Sequence, residues 1–463
     1  MTTHLYNRPT KYLFPILLFL CFSFISCEDF VEVDTPNYLL SGENLFNDKK
    51  TVEAAMVGIY AQLRNSFLLT GTSQGLSNMM ALYTDEMDYY GNSTIREASF
   101  YRNNLLASDE TVAELWSASY NQIYTSNAII EGVAGSSNFT PEETAHFTGE
   151  AKFIRALLHF YLVNLFGEVP YIKTTNYLEN QVAKRQPLAE VYASVITDLE
   201  EAINHLPEED SSGERVRPNK RVAKALLARV YLYMENWEMA AILAEDVINN
   251  TAWEADPQRV FLKESTGTIW QFMPEFEESN TYEAQTFIFQ TAPPPARALS
   301  AHLISAFEEG DLRRELWIGE VSDGVDSYYY SAKYKLLPGE TGNAEYSKVL
   351  RLAEQYLIRA EARTKMGDIA GAQADLNKIR NRAGLANTTA ASESDLLKAI
   401  LHERRVEFFV EHGNRFFDLK RANQLDDALG SIKPGWNTTD RLLPIPEKEL
   451  LVNPNLQPQN PGY

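Results

Sequence analysis

The chain has 463 residues, 44% of them hydrophobic, and a formal charge of −21 from 42 basic and 63 acidic side chains. That length and apolar fraction can bury a sizeable core. The acidic balance excludes nucleic acid and anionic membrane surfaces as partners, since both need a basic footprint. Cys21 and Cys27 are the two cysteines of the sequence, which excludes a multi-cysteine zinc site and a disulfide framework.

The first thirty residues set the compartment. Arg8 and Lys11 precede an uncharged apolar run from Tyr12 to Ile25, broken by Pro15. A run of about 14 apolar residues is too short for a permanent membrane span and suits a secretory signal. It ends in Ser26-Cys27, which resembles a bacterial lipobox. Residues 1–26 then form a signal peptide that is removed, and Cys27 becomes an acylated, palmitate-bearing N-terminus. Glu28 and Asp29 resemble the surface-export signal of Bacteroidetes lipoproteins. Cleavage removes Arg8 and Lys11 and no acid, taking the charge from −21 to −23. Three acyl chains, at about 0.8 kcal/mol per buried CH₂, make such an anchor effectively permanent. Residues 27–42 read as a tether and residues 43–463 as one folded domain.

Helical periodicity dominates that domain. Val52, Ala55, Met56, Ile59, Tyr60 and Leu63 form a stripe at i, i+3, i+4 spacing, and Val112, Leu115, Trp116, Ser119, Tyr120, Ile123 and Tyr124 form another. These predict a first helix pair near 48–133. Residues 143–206 predict a second pair, joined through Gly167 and Pro170. Near 219–249, Leu227, Ala228 and Tyr231 are followed by Ala240, Ala244 and Val247 at the spacings of a tetratricopeptide unit. Near 350–382, Ala360 and Ala372 recur at the same separation, followed by Leu376 and Ile379. Small residues there let antiparallel helices approach closely. The predicted fold is mainly α, a tetratricopeptide-like scaffold of about four helix pairs.

Two stretches interrupt the repeats. Residues 66–104 hold Gly71, Gly75, Gly91 and Tyr89-Tyr90; residues 251–346 hold Pro293-Pro294-Pro295 and strand-like runs at Thr286 to Gln290 and Tyr328 to Lys333. They read as irregular, loop-rich insertions carrying short strands. Binding residues concentrate in such loops on a rigid scaffold. Trp116 and Trp237 fall in helical stripes and read as core, whereas Trp253, Trp270, Trp317 and Trp436 are freer to face a ligand.

The reactive-looking motifs reduce to structure. Gly71-Thr72-Ser73-Gln74-Gly75 spells G-x-S-x-G, but a nucleophile elbow needs alternating strands and helices around it. It reads as a flexible loop. His402-Glu403 begins like a metalloprotease helix, yet Val406 stands where the second histidine ligand belongs. Glu308, Glu309 and Asp311 read as a solvated helix end rather than a glycosidase pair. No catalytic residue, metal or cofactor is expected.

Glu150-Ala151-Lys152-Phe153-Ile154-Arg155-Ala156, running on to Leu165-Phe166-Gly167-Glu168-Val169-Pro170, resembles a signature segment of SusD/RagB proteins. So do Arg351-Leu352-Ala353-Glu354, Glu403-Arg404-Arg405-Val406-Glu407, Arg415-Phe416-Phe417-Asp418-Leu419-Lys420-Arg421 and the terminal Gln459-Asn460-Pro461-Gly462-Tyr463. The likeness covers nearly the whole chain from Cys27, with the insertions matching poorly. It implies a non-enzymatic, lipid-anchored protein on the outer-membrane surface of Bacteroidetes. Such proteins bind oligosaccharides, or peptides in the RagB branch, and form the lid of a SusC-like TonB-dependent barrel in nutrient uptake. It also implies that Arg404, Glu407, Arg415 and Asp418 form a structural network.

For a glycan ligand, flat aromatic rings are the expected platforms, because a pyranose presents a face of C–H groups. Tyr89, Tyr90, Trp270, Trp317 and Tyr329 are the candidates, with Asp85 and Asn92 as polar partners for hydroxyls.

Overall fold

The computed structural model describes residue 2, residue 46 and residues 48–463, apart from Phe67, Ile95, Glu277, Glu278, Thr341 and Asn343. Cys27 and the tether lie outside the described residues, as does the signal segment apart from residue 2.

Long helices run over Lys49–Asn65, Glu110–Gly135, Pro141–Phe166, Leu188–His205, Lys220–Tyr233, Trp237–Asn249, Leu352–Lys365 and Ile369–Arg382. The mainly α architecture is therefore the one the periodicity predicts. The central element is Pro141–Phe166, opened by a capping box between Thr140 and Glu143 and buried from Phe147 almost without interruption. It ends at Gly167, whose φ of +76° only glycine adopts without strain. The Glu110–Gly135 helix lies chiefly against this element, and only lightly against Lys49–Asn65, its expected partner. The Lys49–Asn65 stripe also reaches the central helix, where Tyr60 donates to Glu150 at 2.9 Å. An amphipathic stripe identifies the face that is buried, not the element that covers it.

The third and fourth pairs share one turn geometry. Asn236 caps Trp237–Asn249 by accepting the Met239 N–H at 3.3 Å, and Asp368 caps Ile369–Arg382 by accepting the Gly371 N–H at 2.9 Å. The preceding residues, Glu235 and Gly367, both have positive φ, 58° and 84°. Ala228, Ala240, Ala244, Ala360 and Ala372 are fully buried, as close helix crossings require. Trp237–Asn249 packs on Leu352–Lys365, so the two pairs stack directly and the hundred residues between them loop outward. Arg229 clamps the stack, donating through Nε and Nη2 to Glu354 at 2.7 and 2.6 Å.

Six strands complete the described residues: β1 (Met87–Tyr89), β2 (Thr268–Phe272), β3 (Arg297–Leu299), β4 (Ile318–Ser322), β5 (Ser327–Ser331) and β6 (Ser347–Arg351). β2 pairs with β6, and the other four form a sheet of order β1-β3-β5-β4; all pairings are antiparallel. The expected strand at Thr286 to Gln290 is absent. Thr281 accepts the Ala284 N–H and starts a helix, Tyr282–Phe287, that takes the first two residues of that run. Five residues of alternation are outweighed by one good cap.

Candidate functional site

The four-stranded sheet joins the two insertions. β1 comes from the first, and β3, β4 and β5 from the second, with Tyr89 opposite Arg297 and Leu299 opposite Tyr329. Successive side chains on a strand point to opposite faces, so Tyr328 and Tyr330 share one face of β5 and Tyr329 takes the other. On the first face, Tyr90 meets Tyr328 edge-to-face, ring centroids 5.6 Å apart at 87°. Tyr90 is 44% exposed, and its backbone is held by donation to the Ala296 carbonyl at 2.7 Å. Tyr330 lies across Gly319 of β4, where an added Cβ would come within 2.1 Å of the ring. Phe289 backs it at 5.3 Å. The sheet thus holds Tyr328 and Tyr330, half-buried, beside the exposed Tyr90.

Polar groups border the rings. Tyr89 donates its hydroxyl to the Asn92 carbonyl at 3.2 Å and packs 6.3 Å from Tyr101. Tyr101 donates to Asp88 Oδ1 at 3.3 Å, and the Lys433 ammonium sits 4.0 Å from the centre of its ring. Asn92 is exposed; its Oδ1 accepts from Thr94 N and Oγ1 at 3.0 Å each.

The other candidates are placed elsewhere. Tyr329 turns away from the face of Tyr328, its ring covered by the Arg314 guanidinium at 4.6 Å. Trp270 is fully buried, ringed by Phe153 and Phe272 at 5.2 and 5.0 Å, and donates to the Val216 carbonyl. Trp317 is buried against Phe261 and donates to the Pro257 carbonyl at 2.9 Å. Neither indole offers a face to a ligand. A tryptophan outside the helical repeats is still the largest apolar surface available, and the insertions have a core of their own to fill.

Asp85 is likewise corrected. It is 3% exposed and receives Arg415 Nε and Nη2 at 2.8 Å each and Arg405 Nη2 at 2.7 Å. Burial pushes its pKa up, but the bonds and charges of these arginines win and hold it below the usual value. Both its oxygens are committed to the C-terminal helices. Arg404 pairs with Asp418 at 2.7 Å, and Glu407 accepts from Arg313, Arg351 and Arg382 at 3.2, 2.7 and 2.5 Å.

The reactive-looking motifs are structural here. Gly71 to Gly75 forms a turn that ends in the Leu76–Tyr83 helix, with no parallel sheet beneath it, and the Ser73 carbonyl accepts from Asn78 at 2.7 Å. Glu403 pairs with Arg313 at 2.7 Å and Glu308 with Arg380 at 2.6 Å. Among the described residues no three His, Cys, Asp or Glu side chains are grouped to hold a metal ion.

Sequence reasoning missed Tyr328, Tyr330 and Tyr101. The Ser327-Tyr328-Tyr329-Tyr330-Ser331 run carried the signal, because the strand's period of two divides its tyrosines between faces.

Stacked helix pairs with an exposed aromatic sheet define a helical-repeat binding protein. The chain belongs to the SusD/RagB family. Residues 29–232 match the family model described as "Starch-binding associating with outer membrane", and residues 320–463 match that of the SusD family. A SusD-like protein of Formosa agariphila is 28% identical over 96% of this chain and 98% of its own length. A Bacteroides ovatus SusD-like protein is 25% identical over 71% and 69%. A SusD superfamily structure from Bacteroides vulgatus superposes with a TM-score of 0.79 at 21% identity, covering 90% of this chain and 99% of its own. A laminarin-binding SusD-like protein superposes with a TM-score of 0.75 at 25% identity, over 90% and 100%. Among the described residues no helix is long and apolar enough to cross a membrane.

Proposed function

We propose that this protein is a cell-surface lipoprotein, anchored through Cys27, that captures an oligosaccharide passively and acts as the lid of a TonB-dependent outer-membrane barrel. No chemical step is assigned to it. The observation that supports this reading best is the face carrying Tyr90, Tyr328 and Tyr330, assembled from two distant segments on rigid strands. Covering roughly 100 Å² of apolar area on such a ring is worth about 2–3 kcal/mol before ordering costs. Two or three platforms then give affinities on the order of μM to mM, weak enough for cargo to be handed on. Glycan binding by the laminarin-binding relative points the same way. Tethering lid and barrel in one membrane raises their effective concentration, so their contact need not be intrinsically tight.

Titration calorimetry against laminarin, starch and xylan oligosaccharides, and against peptides, tests the reading. One glycan should bind, and Tyr328→Ala should weaken it about ten-fold with the melting temperature unchanged. Peptide binding without glycan binding would replace this reading by the RagB-like one.

A further inference from the structure

A second aromatic groove lies on other elements. Trp116, Tyr120 and Tyr124 stand four residues apart on the Glu110–Gly135 helix, an aromatic ladder along one face about 12 Å long. The segment from Pro170 through the short Tyr177–Asn180 helix forms the facing wall, and the Glu447–Val452 helix closes one side. The groove encloses about 360 Å³, within the range of small-ligand sites. Its aromatic surface grades from floor to mouth. Trp116 is buried at 3% exposure, while Tyr124 and Tyr177 stand 52% and 71% exposed at the rim.

Two of its polar side chains are uncommitted. Asn121 and Gln181 line the groove, and their side-chain amides make no hydrogen bond within the described residues. The half-buried Glu449 carboxyl is already engaged, accepting a hydrogen bond from the Trp116 indole. An apolar protein surface seated here would strand the two amides at about 1–3 kcal/mol each. A ligand rich in hydroxyls would satisfy both amides while its C–H faces cover the tyrosines.

We infer that this groove is a second carbohydrate site, binding a neutral stretch of the same polysaccharide that occupies the sheet face. The inference rests on the glycan reading above. Two weak sites on one rigid body favour long chains over short ones, because the second contact becomes intramolecular. The gain over either site is on the order of 10²-fold.

Retardation in native gels containing laminarin, soluble starch or xylan tests it, using wild type, Tyr90→Ala/Tyr328→Ala, Tyr124→Ala/Tyr177→Ala and the quadruple variant. Tyr90, Tyr124 and Tyr177 are exposed and Tyr328 is half-buried, and melting curves check that the variants fold. The expected result is that the sheet variant keeps a residual retardation that vanishes in the quadruple variant. The groove variant should weaken polymer binding by about ten-fold or more. If the sheet variant abolishes all retardation, or the groove variant matches wild type, the inference is overturned while the glycan reading stands. If no polysaccharide retards wild type, both fall.

Discussion

Replacing Glu86 with glutamine should raise stability at neutral and alkaline pH and leave it unchanged in mild acid. Glu86 is 2% exposed, and its carboxyl receives only long bonds from the Val410 N–H, 3.4 Å to each oxygen. Burial, and after it the adjoining Asp85 carboxylate, push its pKa from 4.5 to about 8 against the pull of Arg415 and Lys333. The native state therefore holds a proton that the unfolded chain releases near pH 4.5. Where the native state binds more protons, stability falls as pH rises, so the window is pH 4.5 to 8. At about 1.4 kcal/mol per pH unit, the loss reaches about 5 kcal/mol by pH 8. Glutamine keeps the shape and cannot titrate. A folded body of about 400 residues has an unfolding entropy of roughly 0.9 kcal/mol/K. Glu86→Gln should thus melt about 5 °C above wild type at pH 8 and converge with it near pH 4.5. Circular-dichroism melts between pH 4.5 and 8.5 measure this. Parallel curves for the two proteins would refute the assignment of a buried, protonated carboxyl.

Glu407→Gln should have the opposite sign. Burial opposes its charge, but Arg382, Arg351 and Arg313 overcome it and hold the carboxyl far below the ordinary range. Removing that charge should cost about 3–5 kcal/mol at pH 7 in urea unfolding, the difference from wild type shrinking as pH falls below 4.5. Trp270→Ala should cost about 3–5 kcal/mol by the same assay, whereas a ligand platform would tolerate the change. Glu235→Gly should stabilise by about 0.5–1 kcal/mol, since it relieves a left-handed residue at the turn where Gly367 serves the equivalent pair. A loss of stability there would show that the Glu235 side chain contributes something its exposed position conceals.

The scaffold was legible in the sequence because helix formation is local. Stripes at 3.6-residue spacing, alanines at matched separations in the third and fourth pairs, and the caps Asn236 and Asp368 each act within a few residues of themselves. The two insertions that carry the candidate site were equally readable, since those segments lack that spacing. Which side chains share a face of the candidate site was decided by tertiary structure alone. Tyr328 and Tyr329 are neighbours with identical chemistry, and only pairing of β5 with β3 and β4 sends one toward Tyr90 and the other beneath Arg314. Trp270 and Trp317 were drawn inward by the need to fill a core between segments far apart in the chain. Asp85 was claimed by Arg415, 330 residues away. Burial and ion pairing depend on what arrives from elsewhere in the chain, and local pattern carries no record of that.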